Sequence, residues 1–164
     1  TDTGCFQYSN TTADTHRVAA ALMDTGIDVF PLNKRHFRTK SWARLQVERL
    51  LTERMHRYEG GKIAVAPVSL SLMDEAGATE EDMEDIAAFL GQIEGVETSV
   101  TIRELAEGGC KLSVRTSGGL NATKVCALLG GGGHAAAAGC TVSGTLVEAE
   151  AAILDAIRQV EARA

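Results

Sequence analysis

Residues 130–139 are the part of this chain whose residue types could bind a charged ligand: four glycines, His134, four alanines and a glycine. Glycine reaches positive φ freely and lets a ligand approach the peptide N–H groups closely. Successive N–H groups presented in this way bind anions such as phosphates. We therefore predict that Gly131, Gly132 and Gly133 form an anion-binding loop, although a passive turn or a flexible linker would have the same composition.

The segments on either side of the glycines are predicted to be packed elements, which argues against a linker. Asn121 can cap a short helix before them, and Cys140, Val142 and Gly144 are typical of a brief strand after them. Ala135 and the alanines that follow favour helix and could begin a helical turn. Arg115 lies on the polar side of a predicted strand, residues 111–117, that leads through the short helix into the glycines. Its guanidinium matches the geometry of a phosphate.

Two groups of residues resemble motifs of a known family. Residues 131–134 and 137–139 read Gly-Gly-Gly-His and Ala-Ala-Gly, and residues 113–117 read Ser-Val-Arg-Thr-Ser. Together they resemble the signature of the DHHA1 domain, which follows the catalytic DHH domain in a family of phosphoesterases. Residues 1–12, Thr-Asp-Thr-Gly-Cys-Phe-Gln-Tyr-Ser-Asn-Thr-Thr, resemble the last motif of the DHH domain, whose aspartate ligates a catalytic metal. The resemblance covers essentially the whole chain and is closest to the nanoRNase and phosphoadenosine-phosphate phosphatase group.

The resemblance implies a reaction and a set of site residues. Phosphoesters would be hydrolysed with the help of two divalent ions, usually Mn2+, held in the DHH domain. Asp2 would be a metal ligand, and His134 would anchor the substrate without being a catalyst. The implied substrate-binding residues are Arg115, Ser117, Gly131, Gly132, Gly133 and His134. Because the chain begins at Thr1 without the other DHH motifs, we expect a C-terminal fragment that is inactive by itself.

The predicted elements indicate an α+β fold, a mixed sheet covered by helices of the DHHA1 type. From residue 61 onward the pattern predicts the order strand, helix, strand, strand, helix, strand, helix. We expect a C-terminal remnant of a DHH domain at 1–33, truncated and of α/β type, a basic and helical linker at 34–60, and the DHHA1 substrate-binding domain at 61–164. One acidic helix is predicted after Thr79, and Pro67 suggests that its strand lies at a sheet edge or a bulge.

Charge is unevenly distributed along the chain. Residues 34–62 carry nine Lys and Arg against three Glu, whereas the whole chain has a net charge of −6. A basic helix in a nucleotide enzyme could bind a nucleic-acid strand. A solvated helix face beside an apolar stripe explains the same residues at least as well, because Lys and Arg are ordinary surface residues. Both interpretations stay open on the sequence.

Composition indicates a globular protein, since 45% of the residues are hydrophobic. No stretch has the length of a membrane span, and no basic-then-apolar leader pattern occurs. The four cysteines show no CxxC spacing, which favours reduced thiols over a zinc site or a disulfide framework. We therefore expect a cytoplasmic protein with no membrane partner.

Three other functions fit parts of the pattern. RecJ-like single-strand exonucleases carry further nucleic-acid-binding sequence after this segment, so a small substrate is favoured here. The small substrates that fit are 3′-phosphoadenosine 5′-phosphate, a dinucleotide or short single-stranded RNA.

A non-catalytic RNA-binding module, as in alanyl-tRNA synthetases, would leave the Asp2 motif unexplained. Self-association through the glycines would give a homodimer.

Overall fold

The computed structural model describes residues 3–83 and 86–163, in two compact units, Thr1–Ser41 and Trp42–Ala164. Asp2, the predicted metal ligand, lies outside the described residues. The first unit contains helices α1 (Ala13–Asp24) and α2 (Val29–Asn33), followed by a π-helical segment, Lys34–Arg38. Since its described part consists of helices and turns alone, the α/β remnant stays a prediction.

Helix α1 begins with a capping box made by two threonines. The Thr12 hydroxyl accepts a hydrogen bond from the Thr15 N–H at 3.3 Å, and the Thr12 N–H donates to the Thr15 hydroxyl at 3.1 Å. Such a box satisfies two N–H groups that the helix itself leaves unpaired. The apolar stripe of the helix is exposed, with 61% of Val18 and 55% of Leu22 accessible to solvent. The stripe therefore contributes nothing to a core among the described residues.

The second unit is a six-stranded mixed sheet with helices on both faces, which confirms the predicted α+β class. Its spatial order is β1-β2-β3-β4-β6-β5, in which β2 and β3 are parallel and the other neighbours antiparallel. The strands are β1 (His56–Tyr58), β2 (Ile63–Val68), β3 (Thr98–Glu104), β4 (Cys110–Thr116), β5 (Gly132–His134) and β6 (Ala137–Val142). The helices are α3 (Trp42–Arg54), α4 (Leu70–Ala76), α5 (Ile86–Leu90), α6 (Ala122–Ala127) and α7 (Leu146–Glu161).

Side chains alternate between the two faces of the sheet and bury two separate clusters. On one face Val100, Leu112 and Val114 pack with residues of α6 and α7. On the other face Ala64 and Ala66 of β2 pack with residues of α3, α4 and α5. In the described part of the chain, this second cluster takes no buried residue from β4, β5 or β6. Among the described residues, the second face of β4, β5 and β6 is therefore not part of a hydrophobic core.

One local prediction is wrong. Residues 132–134 form strand β5, which the predicted order of elements lacks. A turn follows His134 at residues 135 and 136, as expected, and Ala137 and Ala138 then pair with β4 as the start of β6. Tertiary pairing overrides their helix propensity. Within the predicted acidic helix the described residues form a 3-10 segment, Glu81–Met83, and helix α5.

Pro67 lies on the part of β2 that has a neighbouring strand on one side alone. Strand β1 pairs with residues 63–65 alone, whereas β3 pairs with all of β2. On the β1 side, Pro67 therefore faces no strand of the described sheet, and no ladder hydrogen bond is lost there. The expected edge character applies to this end of β2.

Helix α3 packs on the sheet through Val47, Leu50 and Leu51, all fully buried. Its arginines form ion pairs with carboxylates at 3.0, 2.9 and 2.6 Å: Arg44–Glu48, Arg49–Glu53 and Arg54–Glu75. These pairs neutralise part of the basic segment and favour its interpretation as a solvated helix face. The helix belongs to the second unit, although the sequence assigned this stretch to a linker.

Glu150 on α7 binds two side chains of strand β1. The Tyr58 hydroxyl donates to Glu150 Oε1 at 2.6 Å, and His56 Nδ1 lies 2.7 Å from the same oxygen. The hydrogen bond to Glu150 favours the neutral phenol, and with burial it raises the pKa of Tyr58 to about 12. The folded state then holds this proton more tightly than the unfolded state does. Stability from this group is fully present below pH 10 and is lost as the pH rises from 10 to about 12.

We expect an absorbance titration to show one tyrosine that ionises near pH 12. The replacement Glu150→Gln removes the negative acceptor and should lower this pKa toward 10. The replacement Tyr58→Phe should abolish the transition and so identify the residue. If the tyrosine of Glu150→Gln still ionises near pH 12, the hydrogen bond to the Glu150 carboxylate is not the cause of the raised pKa.

Candidate functional site

Arg115 and His134 lie on the same face of the sheet, on either side of Ala137. Ala137 of β6 pairs with Arg115 of β4 and with His134 of β5, so the three residues form one row across three strands. Directly opposite residues of antiparallel strands project to the same face. Strands about 4.8 Å apart place the Cα atoms of Arg115 and His134 roughly 10 Å from each other. Both long side chains can therefore reach one ligand group above Ala137.

The next row on this face contains still smaller side chains. Gly139 of β6 pairs with Ser113 of β4 and with Gly132 of β5. We call the two rows together the glycine shelf: Arg115, Ala137 and His134, with Ser113, Gly139 and Gly132. Gly132 and His134 are exposed, and the other four are half-buried. Since its centre carries hydrogens and one methyl group, a ligand can lie against the backbone between Arg115 and His134.

The glycines of the segment serve different purposes. A Cβ on Gly131 would lie 2.2 Å from the Gly139 carbonyl oxygen, and one on Gly133 would lie 2.6 Å from the Ala137 oxygen. Gly133 also has a φ of +147°, which other residues rarely adopt. These two glycines let β5 approach β6. A Cβ on Gly132, in contrast, would meet nothing within 4 Å.

The predicted loop of free N–H groups is an edge strand instead. The Gly131 N–H donates to the Cys126 carbonyl at 2.8 Å, and residues 132–134 pair with β6. Antiparallel pairing engages the backbone of alternate residues, so only part of the β5 backbone faces away from the sheet. A ligand would therefore be recognised mainly by side chains and by the small residues of the shelf. Composition alone does not distinguish a glycine loop from a glycine strand.

The turn after His134 is fastened to its surroundings. The Ala135 carbonyl accepts from the Ala122 N–H at 2.8 Å and from the Thr116 hydroxyl at 3.2 Å. The Ala136 carbonyl accepts from the Thr116 N–H at 3.0 Å. These bonds tie the turn to the end of β4 and the start of α6. They hold His134 in a fixed position relative to Arg115.

Behind the shelf, two thiols join α6 to β6. Cys126 is fully buried and Cys140 is 7% exposed, both in the cluster of the opposite face. A hydrogen bond from the Cys126 thiol to Cys140, together with burial, raises the pKa of Cys126. A buried neutral thiol is inert and packs as a small apolar side chain. The pair therefore supports the strand that carries Ala137 and Gly139.

The other predicted site residues do not all meet at the shelf. The Ser117 N–H and hydroxyl donate to the Glu97 carbonyl at 2.8 and 3.4 Å, beyond the end of β4. The Arg115 guanidinium donates to the Val114 carbonyl at 3.3 Å, and its several N–H groups are not saturated by one such bond. The structure thus brings together Arg115, Gly132 and His134 on one face, whereas Gly131 and Gly133 allow the close approach of β5 and β6. Sequence reasoning gave no site role to Ala137, which is the strand-pairing partner of both Arg115 and His134.

The described residues contain neither a metal-binding cluster nor a membrane-spanning helix. Across residues 3–83 and 86–163, no group of three or more His, Cys, Asp and Glu side chains could hold a metal ion. The described residues therefore do not by themselves fit the predicted metal site, and Asp2 lies outside them. No helix in these ranges has the length and apolar character needed to cross a membrane.

The signature residues and the sheet that carries them have counterparts in known proteins. The DHHA1 domain matches residues 60–162. The chain belongs to the DHHA1 family. It is 40% identical, over its whole length, to the bifunctional oligoribonuclease and PAP phosphatase NrnA of Thermus thermophilus, of which it covers 49%. This DHHA1 chain thus spans about half the length of the curated relative that it matches.

Two solved structures resemble the DHHA1 chain. An exopolyphosphatase-related protein from Bacteroides fragilis matches with a TM-score of 0.88 and 25% identity, over 96% of this chain and 46% of that one. A pGpG-specific phosphodiesterase from Vibrio cholerae matches with a TM-score of 0.55 and 13% identity, over 94% of this chain and 53% of that one. The second likeness shows the fold alone. Together they confirm the DHHA1-type architecture.

Proposed function

We propose that this chain is the nucleotide-binding part of a metal-dependent phosphoesterase, with Mn2+ as the metal. The substrates would be short oligoribonucleotides, dinucleotides or 3′-phosphoadenosine 5′-phosphate, of which the name of the Thermus relative suggests the first and the last. The observation that carries the proposal is the placement of Arg115 and His134 on either side of a row without bulky side chains. A phosphate between them would contact a guanidinium and an imidazole at once.

The role of the shelf is binding and orientation. The planar guanidinium of Arg115 can donate two parallel hydrogen bonds to phosphate oxygens. The exposed imidazole of His134 can donate a hydrogen bond from the opposite side. Because β4, β6 and β5 are joined in one sheet, the backbones that carry the two donors are held at a fixed separation before the ligand arrives. Pre-organised donors lose little entropy on binding.

The hydrolytic step is assigned to other residues. Asp2 stays the proposed metal ligand of this chain, and the described residues supply no metal cluster. We therefore assign no bond-breaking step to the shelf. A location in the cytoplasm fits the four free cysteines, three of them buried, and stays a prediction.

Isothermal titration calorimetry of this 164-residue chain with AMP tests the proposal. We expect binding that Arg115→Ala or His134→Ala abolishes, and no hydrolysis of a short RNA in the presence of Mn2+. The full-length protein is expected to hydrolyse that RNA. Binding of AMP that is unaffected by both replacements would contradict the shelf as the site. Hydrolysis by the chain alone would contradict the assignment of binding to this chain and of hydrolysis to the rest of the full-length protein.

Self-association is a separate prediction. Strand β5 lies at an edge of the sheet, and an unpaired edge can pair with another copy. A Gly132→Val variant with an unchanged sedimentation coefficient and lost AMP binding would favour ligand binding as the purpose of the segment. A shift in sedimentation alone would favour assembly.

A further inference from the structure

A cleft of about 390 Å³ opens on the same sheet face as the glycine shelf. Its floor contains Ser113 of β4 and Thr101 of β3, which pair with each other. Met83 and Ile86 form an apolar wall next to Glu80 and Glu81, and the basic side chains of Arg103 on β3 and Lys111 on β4 also line the cleft. Volumes of this size are typical of small-molecule sites. Ser113 belongs to both surfaces, so the cleft and the shelf are continuous.

The segment that carries the two glutamates is held in place by three contacts. The Thr79 N–H donates to Asp82 Oδ2 at 2.9 Å, and Arg44 Nη1 of α3 donates to the Asp82 carbonyl at 3.0 Å. Arg103 of β3 forms an ion pair with Glu80. The wall is thus anchored both to α3 and to the sheet. Because Glu80 forms an ion pair with Arg103, Glu81 is the carboxylate that can bind a ligand in the cleft.

Arg103 and Lys111 line the cleft together with Glu80 and Glu81, so the formal charges cancel and give a phosphate no excess of cations to bind. A nucleobase suits it better, since a flat ring can lie on Met83 and Ile86 while its polar edge meets hydroxyl and carboxylate groups. Along β4, Ser113 is two residues from Arg115, about 7 Å at 3.3 Å per residue. That separation is short enough for one nucleotide to bridge the shelf and the cleft.

We propose that the cleft binds the base of the nucleotide whose phosphate lies on the glycine shelf, and that Glu81 selects bases with an exocyclic amino group. The inference rests on the proposed function of the shelf and deepens it. Adenine, cytosine and guanine carry an amino group that donates hydrogen bonds, whereas uracil offers carbonyl oxygens at the equivalent place. A carboxylate accepts from the amino group and repels the carbonyl oxygens. AMP should therefore bind more tightly than UMP.

Calorimetric titration of the whole chain with ribose 5-phosphate, AMP and UMP tests the inference. We expect AMP to bind about tenfold more tightly than UMP, the discrimination of one good hydrogen-bonded pair. Glu81→Gln should bring AMP and UMP to within about twofold while leaving ribose 5-phosphate unchanged. Glu161→Gln, on α7 at the opposite face, removes the same charge and should change nothing. Ribose 5-phosphate also reports whether each variant keeps an intact shelf.

The possible outcomes separate the two proposals. Ribose 5-phosphate that binds and is lost with Arg115→Ala supports the shelf, whatever the cleft does. If AMP then binds no more tightly than UMP, or if Glu81→Gln leaves their ratio unchanged, the base site is wrong while the phosphate site stands. If neither ribose 5-phosphate nor AMP binds, the proposed function itself fails.

Discussion

Replacing Arg115 by alanine in the full-length protein is expected to raise KM by about 30-fold and to leave the bound metal in place. A charge-assisted hydrogen bond contributes roughly 2 kcal/mol, and each 1.4 kcal/mol is about a factor of ten. Arg115 lies in the second unit, whereas the predicted metal ligand Asp2 belongs to the first. Steady-state kinetics with a short RNA and metal analysis of the purified variant give the two readouts.

Matched variants separate the effect of the planar donors of the guanidinium from the effect of its charge. Arg115→Lys keeps the charge but loses the planar pair of donors, so we expect an intermediate KM. His134→Ala should also raise KM, because the imidazole meets the same ligand from the other side of Ala137. Arg158→Ala on α7, an exposed arginine at the opposite face, should leave KM unchanged. Loss of the bound metal in Arg115→Ala, or an unchanged KM, would overturn the assigned role.

Local chemistry made part of this site predictable from the sequence. The alternation along residues 111–117 places Arg115 on the polar face of a strand, and the structure confirms that strand as β4. Asn121 caps α6 as predicted, through its side-chain bond to the Lys124 N–H at 3.1 Å. Both features depend on residues close to one another in the chain. Short-range patterns of this kind are where sequence reasoning succeeds.

Long-range pairing could not be read in the same way. The sequence predicts a loop at residues 131–133, because glycine composition indicates that many φ values are allowed. It does not indicate which strand the backbone pairs with. The deciding contacts come from Gly139 and Ala137, which lie on a different strand. The cleft likewise unites Glu81 with Thr101 and Ser113, which no local pattern connects. Sheet order decides which residues share a face, and it does not follow from periodicity alone.

A second large effect is expected from single methyl groups in the glycine segment. Gly131→Ala would force a Cβ to 2.2 Å from the Gly139 oxygen and 2.4 Å from Cys140 Cβ. Real Cβ atoms do not come so close, so β5 would have to separate from β6. Overpacking of this kind costs on the order of 3 kcal/mol. We expect a clear loss of stability in urea unfolding, and Gly133→Ala, with its positive φ as well, should behave similarly.

Gly132→Ala is the matched control, because its Cβ would point into open space. We expect this variant to unfold at the same urea concentration as the parent, within about 0.5 kcal/mol. Its methyl group would nevertheless stand on the glycine shelf, where the ligand is proposed to lie. A stable Gly132→Ala protein that binds AMP weakly would show that this glycine is kept for the ligand, while Gly131 and Gly133 are kept for the fold. Equal destabilisation by all three replacements would remove that distinction, and with it the argument that the shelf is bare in order to admit a nucleotide.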